Sequence, residues 1–200
     1  MQTYHIWAPK GGVGGSTTAA ILAAKIAKKH PSETVELAVS PEDVGDLYMI
    51  LGLDYRYHSR ASTTLDDGVK VTNNLKIVAA SHYTNADYRV VDCGHHNPHS
   101  DAALEPVRDN DTVIAVVRNC YLSIRKLHDA DNHPNTTVVC IEEIGRANRP
   151  SDISAAFDNF NIIHIRAESD ISRAVDAGLL LYRISQGKLG TTIDLSLIHI

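Results

Sequence analysis

The chain has 200 residues, of which 44% are hydrophobic and 22% are charged, as in an ordinary soluble globular protein. Its net charge of −5 argues against a surface that coats nucleic acid, because phosphate contacts need lysine and arginine. Its three cysteines lack paired spacing, which argues against a disulfide framework or zinc site and favours a reducing compartment. We expect a single domain over residues 1–200, located in the cytoplasm. No transmembrane segment is expected, because no apolar run approaches about 20 residues.

Short apolar runs alternate with helical patterns along the chain. In chain order, the first half is predicted to contain strand 3–8, helix 17–29, strand 35–39, helix 46–51, a polar loop or small hairpin over 54–74, and strands 75–80 and 88–91. The second half is predicted to contain helix 102–107, strand 112–117, helix 122–130, strand 136–141, helix 152–157, strand 161–165 and helix 170–185. The tail beyond residue 187 is ambiguous, and residues 195–200 are typical of a strand or a docking tail. This alternation predicts an α/β fold, with a doubly wound, mostly parallel sheet and helices on both faces.

A glycine-rich segment, here called the phosphate loop, lies between the first predicted strand and the first predicted helix. It consists of Lys10, Gly11, Gly12, Val13, Gly14, Gly15, Ser16 and Thr17. Glycines let the backbone wrap closely and direct N–H groups at one anion, and the following helix adds its positive end. We therefore predict that these eight residues bind nucleotide and that the Ser16 hydroxyl holds Mg²⁺. The alternative is a plain glycine-rich turn.

The strict P-loop pattern is not met, because Pro9 stands at its first glycine and Gly15 at its lysine. A cation, Lys10, lies upstream instead. The segment resembles the deviant Walker A motif, KGGxGK[ST], of the ParA/MinD family of P-loop ATPases. The resemblance implies a P-loop NTPase-like fold that binds ATP and Mg²⁺. It also implies a homodimer in which Lys10 is a catalytic residue that reaches the partner subunit's phosphates. Loss of the second lysine is a feature of the divergent TadZ/CpaE branch, which helps to place pili and secretion machinery.

The resemblance extends to the sequence SPEDVGDL at residues 40–47. Aligning on its Gly-Asp-Leu places Ser40 and Glu42 at the family's two switch aspartates. Glu42 is thereby the candidate catalytic carboxylate that positions the attacking water. Ser40 has no carboxylate, so it stays open whether ATP is hydrolysed, and the chain is at most a weak ATPase. The alternative for Glu42 and Asp43 is a solvated turn.

The apolar run Arg89-Val-Val-Asp92 ends in an acid. In P-loop proteins, an acid that ends an apolar strand in this way holds the water shell of Mg²⁺. We therefore predict Ser16 and Asp92 as the metal ligands. Near the C-terminus, residues 165–178 resemble the segment that the family places beside the adenine. Arg166 stands there in place of a proline.

The loop after Asp92 contains one cysteine and three histidines: Cys93, His95, His96 and His99. This composition is compatible with a metal site. The alternative, which we favour, is a polar loop that follows the magnesium ligand.

Three cations lie at the end of the strand predicted over 112–117 and on the next helix: Arg118, Arg125 and Lys126. They form either a basic patch for DNA phosphates or a solvated helix face. The solvated face is the favoured reading.

The sequence therefore favours a ParA/MinD-like ATP-binding protein that dimerises when ATP binds and serves in DNA partition or in positioning a cellular machine. Its partner would be a second copy of the chain together with DNA or another protein. The alternative is a non-hydrolysing nucleotide-binding scaffold, as in the TadZ/CpaE branch, that localises partner proteins. A metabolic ATP-dependent enzyme is a third reading, for which no substrate site is evident.

Overall fold

The computed structural model describes residues 1–53, 68–82, 85–100, 103–130 and 136–187. The strands in these ranges are β1 Gln2–Trp7, β2 Val35–Val39, β3 Val69–Lys70, β4 Leu75–Ala79, β5 Tyr88–Asp92, β6 Thr112–Arg118, β7 Thr136–Glu142 and β8 Asn161–Arg166. The helices are α1 Gly15–Lys29, α2 Val44–Leu51, α3 Tyr121–His128, α4 Pro150–Ala156, α5 Ser169–Asp176 and α6 Leu180–Ser185.

The strands form one sheet in the order β3-β4-β2-β5-β1-β6-β7-β8. Every neighbouring pair is parallel except β3 and β4, which form a short antiparallel hairpin at one edge. Crossover connections between parallel strands carry helices to the two faces of the sheet. The structure thus confirms the predicted doubly wound α/β fold. In the described part of the predicted loop or small hairpin 54–74, β3 pairs with β4, the strand that follows that segment.

Two cores, one on each face, hold the helices to the sheet. Along β1, Tyr4 and Ile6 face the core formed with α1, α2, α5 and α6. Trp7 faces the opposite core, to which α3 and α4 contribute. Residues that alternate along a strand point to opposite faces, so a central strand such as β1 must supply apolar side chains to both.

Helix α1 packs closely on the sheet because its inner positions are small. Five alanines are buried in it: Ala19, Ala20, Ala23, Ala24 and Ala27. At its end, Lys28 Nζ donates hydrogen bonds to the carbonyls of Ile184 and Ser185, at 3.0 and 3.2 Å. The lysine thereby satisfies carbonyls at the end of α6, which have no partner within their own helix.

Two predicted helices differ from the structure. The described part of the predicted helix 102–107 is irregular, because Glu105 turns inward to bind a buried arginine of β5. The predicted helix 170–185 is divided into α5 and α6 at Gly178, whose φ of 63° is incompatible with a continuing right-handed helix.

Some predictions fall on segments outside the described residues. They concern residues 54–67 of the polar loop and the tail from 188 to 200. Within the described ranges, no helix has both the length and the apolar character needed to span a bilayer.

A buried ion network lies beneath the loop that follows β5. Arg89 is 1% exposed and donates to Glu105 Oε2 from Nε at 2.9 Å, and to Glu36 Oε2 from Nη1 at 2.8 Å. Its Nη2 donates to the carbonyl of Ala80 at 2.8 Å. Lys76 Nζ lies 3.0 Å from the other oxygen of Glu36. Buried charges need this full set of partners, since each unpaired charge costs several kcal/mol.

We expect Arg89→Met to lower the free energy of unfolding by about 3–5 kcal/mol, because it leaves Glu36 and Glu105 buried without their arginine. The matched control is Lys76→Met, which removes the half-exposed cation of the same network and should cost about 0–1 kcal/mol. Urea denaturation at neutral pH measures both. Equal stability of the two variants would contradict this account of the network.

Candidate functional site

The phosphate loop turns between β1 and α1, as predicted. Gly12 and Gly14 have φ angles of 76° and 106°, in the left-handed region that residues with a Cβ rarely adopt. The carbonyl of Gly14 accepts hydrogen bonds from the N–H and the hydroxyl of Thr18, at 2.9 and 2.8 Å. The first N–H groups of a helix have no partner within the helix, so the start of α1 offers donors to an anion beside the loop.

Gly15 lies where the end of β1 approaches the start of α1. A Cβ placed on it would lie 3.1 Å from the Cβ of Ala8, which is tighter than ordinary van der Waals contact. A side chain at this position requires Ala8 to move slightly. The chain therefore has neither the lysine of the usual motif nor ready space for it.

Asp92 lies at the carboxyl end of β5, paired in register with Ile6 of β1. It is 1% exposed, and its Oδ1 accepts a hydrogen bond from the N–H of Gly94 at 3.1 Å. Among the described residues, none donates a well-formed hydrogen bond to Oδ2. The pKa of Asp92 is raised, chiefly by burial and further by the charge of Asp43, while the Ser16 side chain and the Gly94 N–H oppose the rise.

These features fit a divalent cation. A buried carboxylate oxygen without a hydrogen-bond partner, beside a serine hydroxyl, supplies hard oxygen ligands of the kind that Mg²⁺ prefers. A cation there would also compensate the buried negative charge. The structure thus brings Ser16 and Asp92 together beside the loop.

The acid nearest to Asp92 on the segment after β2 is Asp43, and the sequence reasoning missed it. Its Oδ2 lies 3.7 Å from the position of a Cβ built on Gly94. Asp43 is the N-cap of α2, yet its side chain makes no capping hydrogen bond, so the carboxylate is directed elsewhere. Glu42 and Asp43 are both exposed, but in the part of the chain described only Asp43 has an interaction with Asp92. The signal for Asp43 was its N-cap position, which follows β2 directly.

Lys10 stands at the outer side of the loop and is partly exposed. Its Nζ lies 3.4 Å from the carbonyl of the adjacent Gly11, a contact at the limit of hydrogen bonding. The ammonium group is therefore accessible from outside the chain.

A cleft of about 300 Å³ opens beside the loop. One wall consists of Val13, Gly14, Thr17 and Thr18, and the other includes Ile165 with residues 166–168. The segment after β8, predicted to lie beside the adenine, is thus adjacent to the phosphate loop. Isoleucine side chains from α1, β7, β8 and α5 make much of the lining apolar, as in most pockets for the ring of a small ligand.

Arg118, at the end of β6, lines this cleft. Its Nε donates to the carbonyl of Val13 at 3.3 Å, and its Nη1 donates to Glu143 Oε1 at 2.5 Å. Arg146 pairs with the other oxygen of Glu143, with Nε at 2.6 Å. Asn119 fixes the backbone of Glu143, accepting from its N–H at 2.9 Å and donating to its carbonyl at 3.1 Å.

The ion pairs of Arg118 and Arg125 do not favour a basic patch, the alternative to the solvated helix face. Arg118 is bound to Glu143 at the cleft, whereas Arg125 pairs with Asp129 one turn along the exposed face of α3, Nε to Oδ2 at 2.9 Å. Two of its three cations are thus matched with acids. Sequence proximity alone suggested the patch, and nothing in the sequence signalled Glu143.

The histidine-rich loop shows no metal-ligand arrangement in the residues that the structure describes. His95 and His96 stack on each other with ring centroids 4.4 Å apart. Burial raises the pKa of the Cys93 thiol, which keeps it protonated. Across the described ranges, no three His, Cys, Asp or Glu residues group as a metal site requires.

Comparisons with known proteins give a likeness in structure. No protein-family model matches the sequence, and no curated protein matches it significantly. A ParA family ATPase from Chlorobium tepidum TLS aligns with a TM-score of 0.72 at 16% identity, covering 100% of this chain and 99% of that one. A chain of the MinC:MinD cell division protein complex of Aquifex aeolicus aligns with a TM-score of 0.69 at 21% identity, covering 97% of this chain and 93% of that one. The fold is that of the MinD and ParA ATPases.

A third similar structure is bound to a nucleotide analogue. It is a plasmid partition protein from Borrelia burgdorferi B31 with AMPPNP, aligned with a TM-score of 0.60 at 15% identity over 100% of this chain and 99% of that one. The MinD/ParA fold therefore accommodates a nucleotide in a protein of comparable extent. At these identities the likeness concerns the fold, and the binding residues of this chain rest on its own geometry.

We expect Asp92→Asn to raise the free energy of unfolding by on the order of 1 kcal/mol when no ligand is present, because it removes a buried charge that lacks a full set of partners. The native pKa of Asp92 is above 3.8, so wild-type stability should fall as pH rises from 3.8 through that native pKa. The variant should lack this fall. Unfolding measured across acid pH tests it.

The control is Asp87→Asn, at the opposite end of the same strand. Asp87 accepts hydrogen bonds from the Thr34 N–H and hydroxyl at 2.8 and 2.9 Å, which hold its pKa below 3.8. Its contribution is present above pH 3.8 and is lost as pH falls through the native pKa, so this variant should be less stable at neutral pH. If Asp92→Asn also destabilises the protein at pH 7, the electrostatic account of the site is wrong.

Proposed function

We propose that this chain is a ParA/MinD-like ATP-binding switch whose ATP-bound form is a homodimer. Its role would be DNA partition or the positioning of a cellular machine. One observation carries the proposal. The phosphate loop and the buried, incompletely paired carboxylate of Asp92 converge at the carboxyl ends of the central strands.

In this proposal the loop backbone binds the phosphates and the cleft takes the base. Residues 10–17 supply N–H groups, and the apolar wall near Ile165 packs on the adenine. Ser16 and Asp92 hold Mg²⁺, which neutralises charge on the phosphates. Because the cation compensates a buried carboxylate as well as the ligand, binding of the metal and of ATP should be strongly coupled.

Hydrolysis, if it takes place, requires a group that orients water. We propose Asp43 for this role in preference to Glu42, because its carboxylate is directed at the segment of Asp92 and Gly94. Ser40 provides no second acid. Turnover should therefore be slow, and the lifetime of the ATP-bound dimer correspondingly long.

The second candidate function is a scaffold that binds nucleotide without hydrolysis and recruits partner proteins. Two observations favour it: Gly15 replaces the lysine of the usual motif, and Ser40 replaces an acid. The two functions differ in turnover and share the same binding site. Neither requires a basic surface, and DNA stimulation of turnover would favour partition over the positioning of a protein machine.

The first test is Lys10→Ala, followed by labelled-ATP titration and sedimentation. The exposed ammonium of Lys10 should complete the site of the partner subunit, so we expect the variant to lose ATP-dependent dimerisation while its fold is unchanged. Lys29→Ala, at the exposed end of α1, is the control and should dimerise like wild type. No ATP binding by the wild type would reject the proposed function, whereas dimerisation of Lys10→Ala would reject only the role of Lys10.

The second test compares two neighbouring carboxylates, in Asp43→Asn and Glu42→Gln. We expect Asp43→Asn to lower the rate of phosphate release by roughly 10²-fold, the size typical of losing a group that assists proton transfer or water positioning. Glu42→Gln should change the rate less than about twofold, because no described interaction places Glu42 beside Asp92 or Gly94. The reverse ranking would restore Glu42 as the catalytic acid. A wild type that binds ATP without turnover would support the scaffold.

A further inference from the structure

A cation outside the phosphate loop lies directly against it. Arg118 reaches the loop from β6 and donates to the carbonyl of Val13, and it lines the same cleft as Gly14 and Thr17. Its side chain is 34% exposed, which leaves part of the guanidinium accessible from the cleft. The arginine is therefore placed where a ligand held by the loop would meet it.

The guanidinium has hydrogen-bonding capacity to spare. Arginine carries five N–H donors, and in the described part of the chain Arg118 uses one on Val13 and one on Glu143. The remaining donors have no described partner. A guanidinium with unused donors matches phosphate oxygens in both charge and geometry.

The loop needs such a charge. ATP brings about four negative charges, and the lysine that usually neutralises its phosphates from within the subunit is replaced by Gly15. Lys10 is turned to the outside of the loop, where its Nζ contacts only the carbonyl of Gly11 among the described residues. Two arginines line the cleft, Arg118 and Arg166. Arg118 is the one with a described hydrogen bond to the loop, at the carbonyl of Val13.

We propose that Arg118 binds the phosphate chain of the nucleotide from within the same subunit and supplies charge that the loop lacks at Gly15. This inference rests on the proposed function. It assigns Arg118 to nucleotide binding and takes it out of the suggested DNA-binding patch.

The surroundings of Glu143 limit the free-energy cost of moving Arg118 from its ion pair to a phosphate. In the structure it holds Arg118 by Nη1, while Arg146 pairs with its second oxygen. If Arg118 turns toward a phosphate, Glu143 keeps Arg146 as a counter-charge and its backbone stays fixed by Asn119. The carboxylate is thus not left uncompensated, which would otherwise oppose ligand binding.

The rival reading is that Arg118 is only a latch that ties Val13 to Glu143. Three variants separate the two. Arg118→Gln removes the charge, and Arg118→Lys keeps the charge but lacks the two separate donor nitrogens with which the guanidinium binds Val13 and Glu143. Arg125→Gln is the matched control, since it removes an exposed arginine that pairs with Asp129 and does not line the cleft. The readout is the Kd for labelled ATP at several salt concentrations, with thermal unfolding to confirm the fold.

We expect Arg118→Gln to weaken ATP binding by roughly tenfold to a hundredfold, as for loss of a charge-assisted contact, and to reduce its salt dependence. Arg118→Lys should lose less than about fivefold, and Arg125→Gln should bind like wild type. Equal losses for the Gln and Lys variants, or wild-type binding by Arg118→Gln, would overturn the inference and leave the proposed function intact. If the wild type does not bind ATP, both this inference and the proposed function are wrong. The wild type alone shows that outcome, so it is distinguished from a failure of the Arg118 inference.

Discussion

The carboxylate of Asp92 is buried between β5 and the phosphate loop, and its negative charge constrains everything placed around it. Parallel pairing of β1 with β5 puts Asp92 beside Ile6. The phosphate loop begins only a few residues after Ile6, so it starts close to the acid. Gly94 joins the two segments, because its N–H donates to Asp92 and its carbonyl accepts from the N–H of Ala8 at 2.8 Å. An ionised group at this depth is costly unless a cation or a hydrogen bond compensates it. The site is therefore arranged to receive positive charge.

The charges near the site are distributed differently from those of the usual P-loop. Gly15 lets β1 and α1 approach closely, with the Ala8 Cβ only 3.1 Å from where its own Cβ would lie. A side chain there would require Ala8 to shift slightly. Among the described residues, Lys10 contacts the loop at the carbonyl of Gly11, Arg118 contacts it at the carbonyl of Val13, and Arg166 lines the same cleft.

The buried network of Arg89 has a related structural role. Glu105 belongs to the loop that begins directly after Asp92, and its pairing with Arg89 attaches that loop to the sheet. Glu36 and Lys76 extend the network across β2 and β4 on the same face. Hydrogen bonds between charged groups in a low-dielectric interior hold a single geometry. The loop after Asp92 is thereby anchored at both of its described ends, by Gly94 near Ala8 and by Glu105 under the sheet.

The sequence alone determined the order of strands and helices and the place of the phosphate loop, because both follow from local properties. Short apolar runs that alternate with helical patterns indicate parallel strands joined by crossover helices. Gly12 and Gly14 indicate the left-handed backbone conformations that the loop adopts. Ser16 and Asp92 were predictable as neighbours, since parallel strands bring their carboxyl ends to one edge. Only the tertiary structure decided which acid lies near Asp92, that 102–107 is irregular in its described part, and that Arg118 joins the cleft. Asp43, Glu105 and Arg118 each depend on a partner far away in sequence, and such pairings leave no periodic or local signal in the chain.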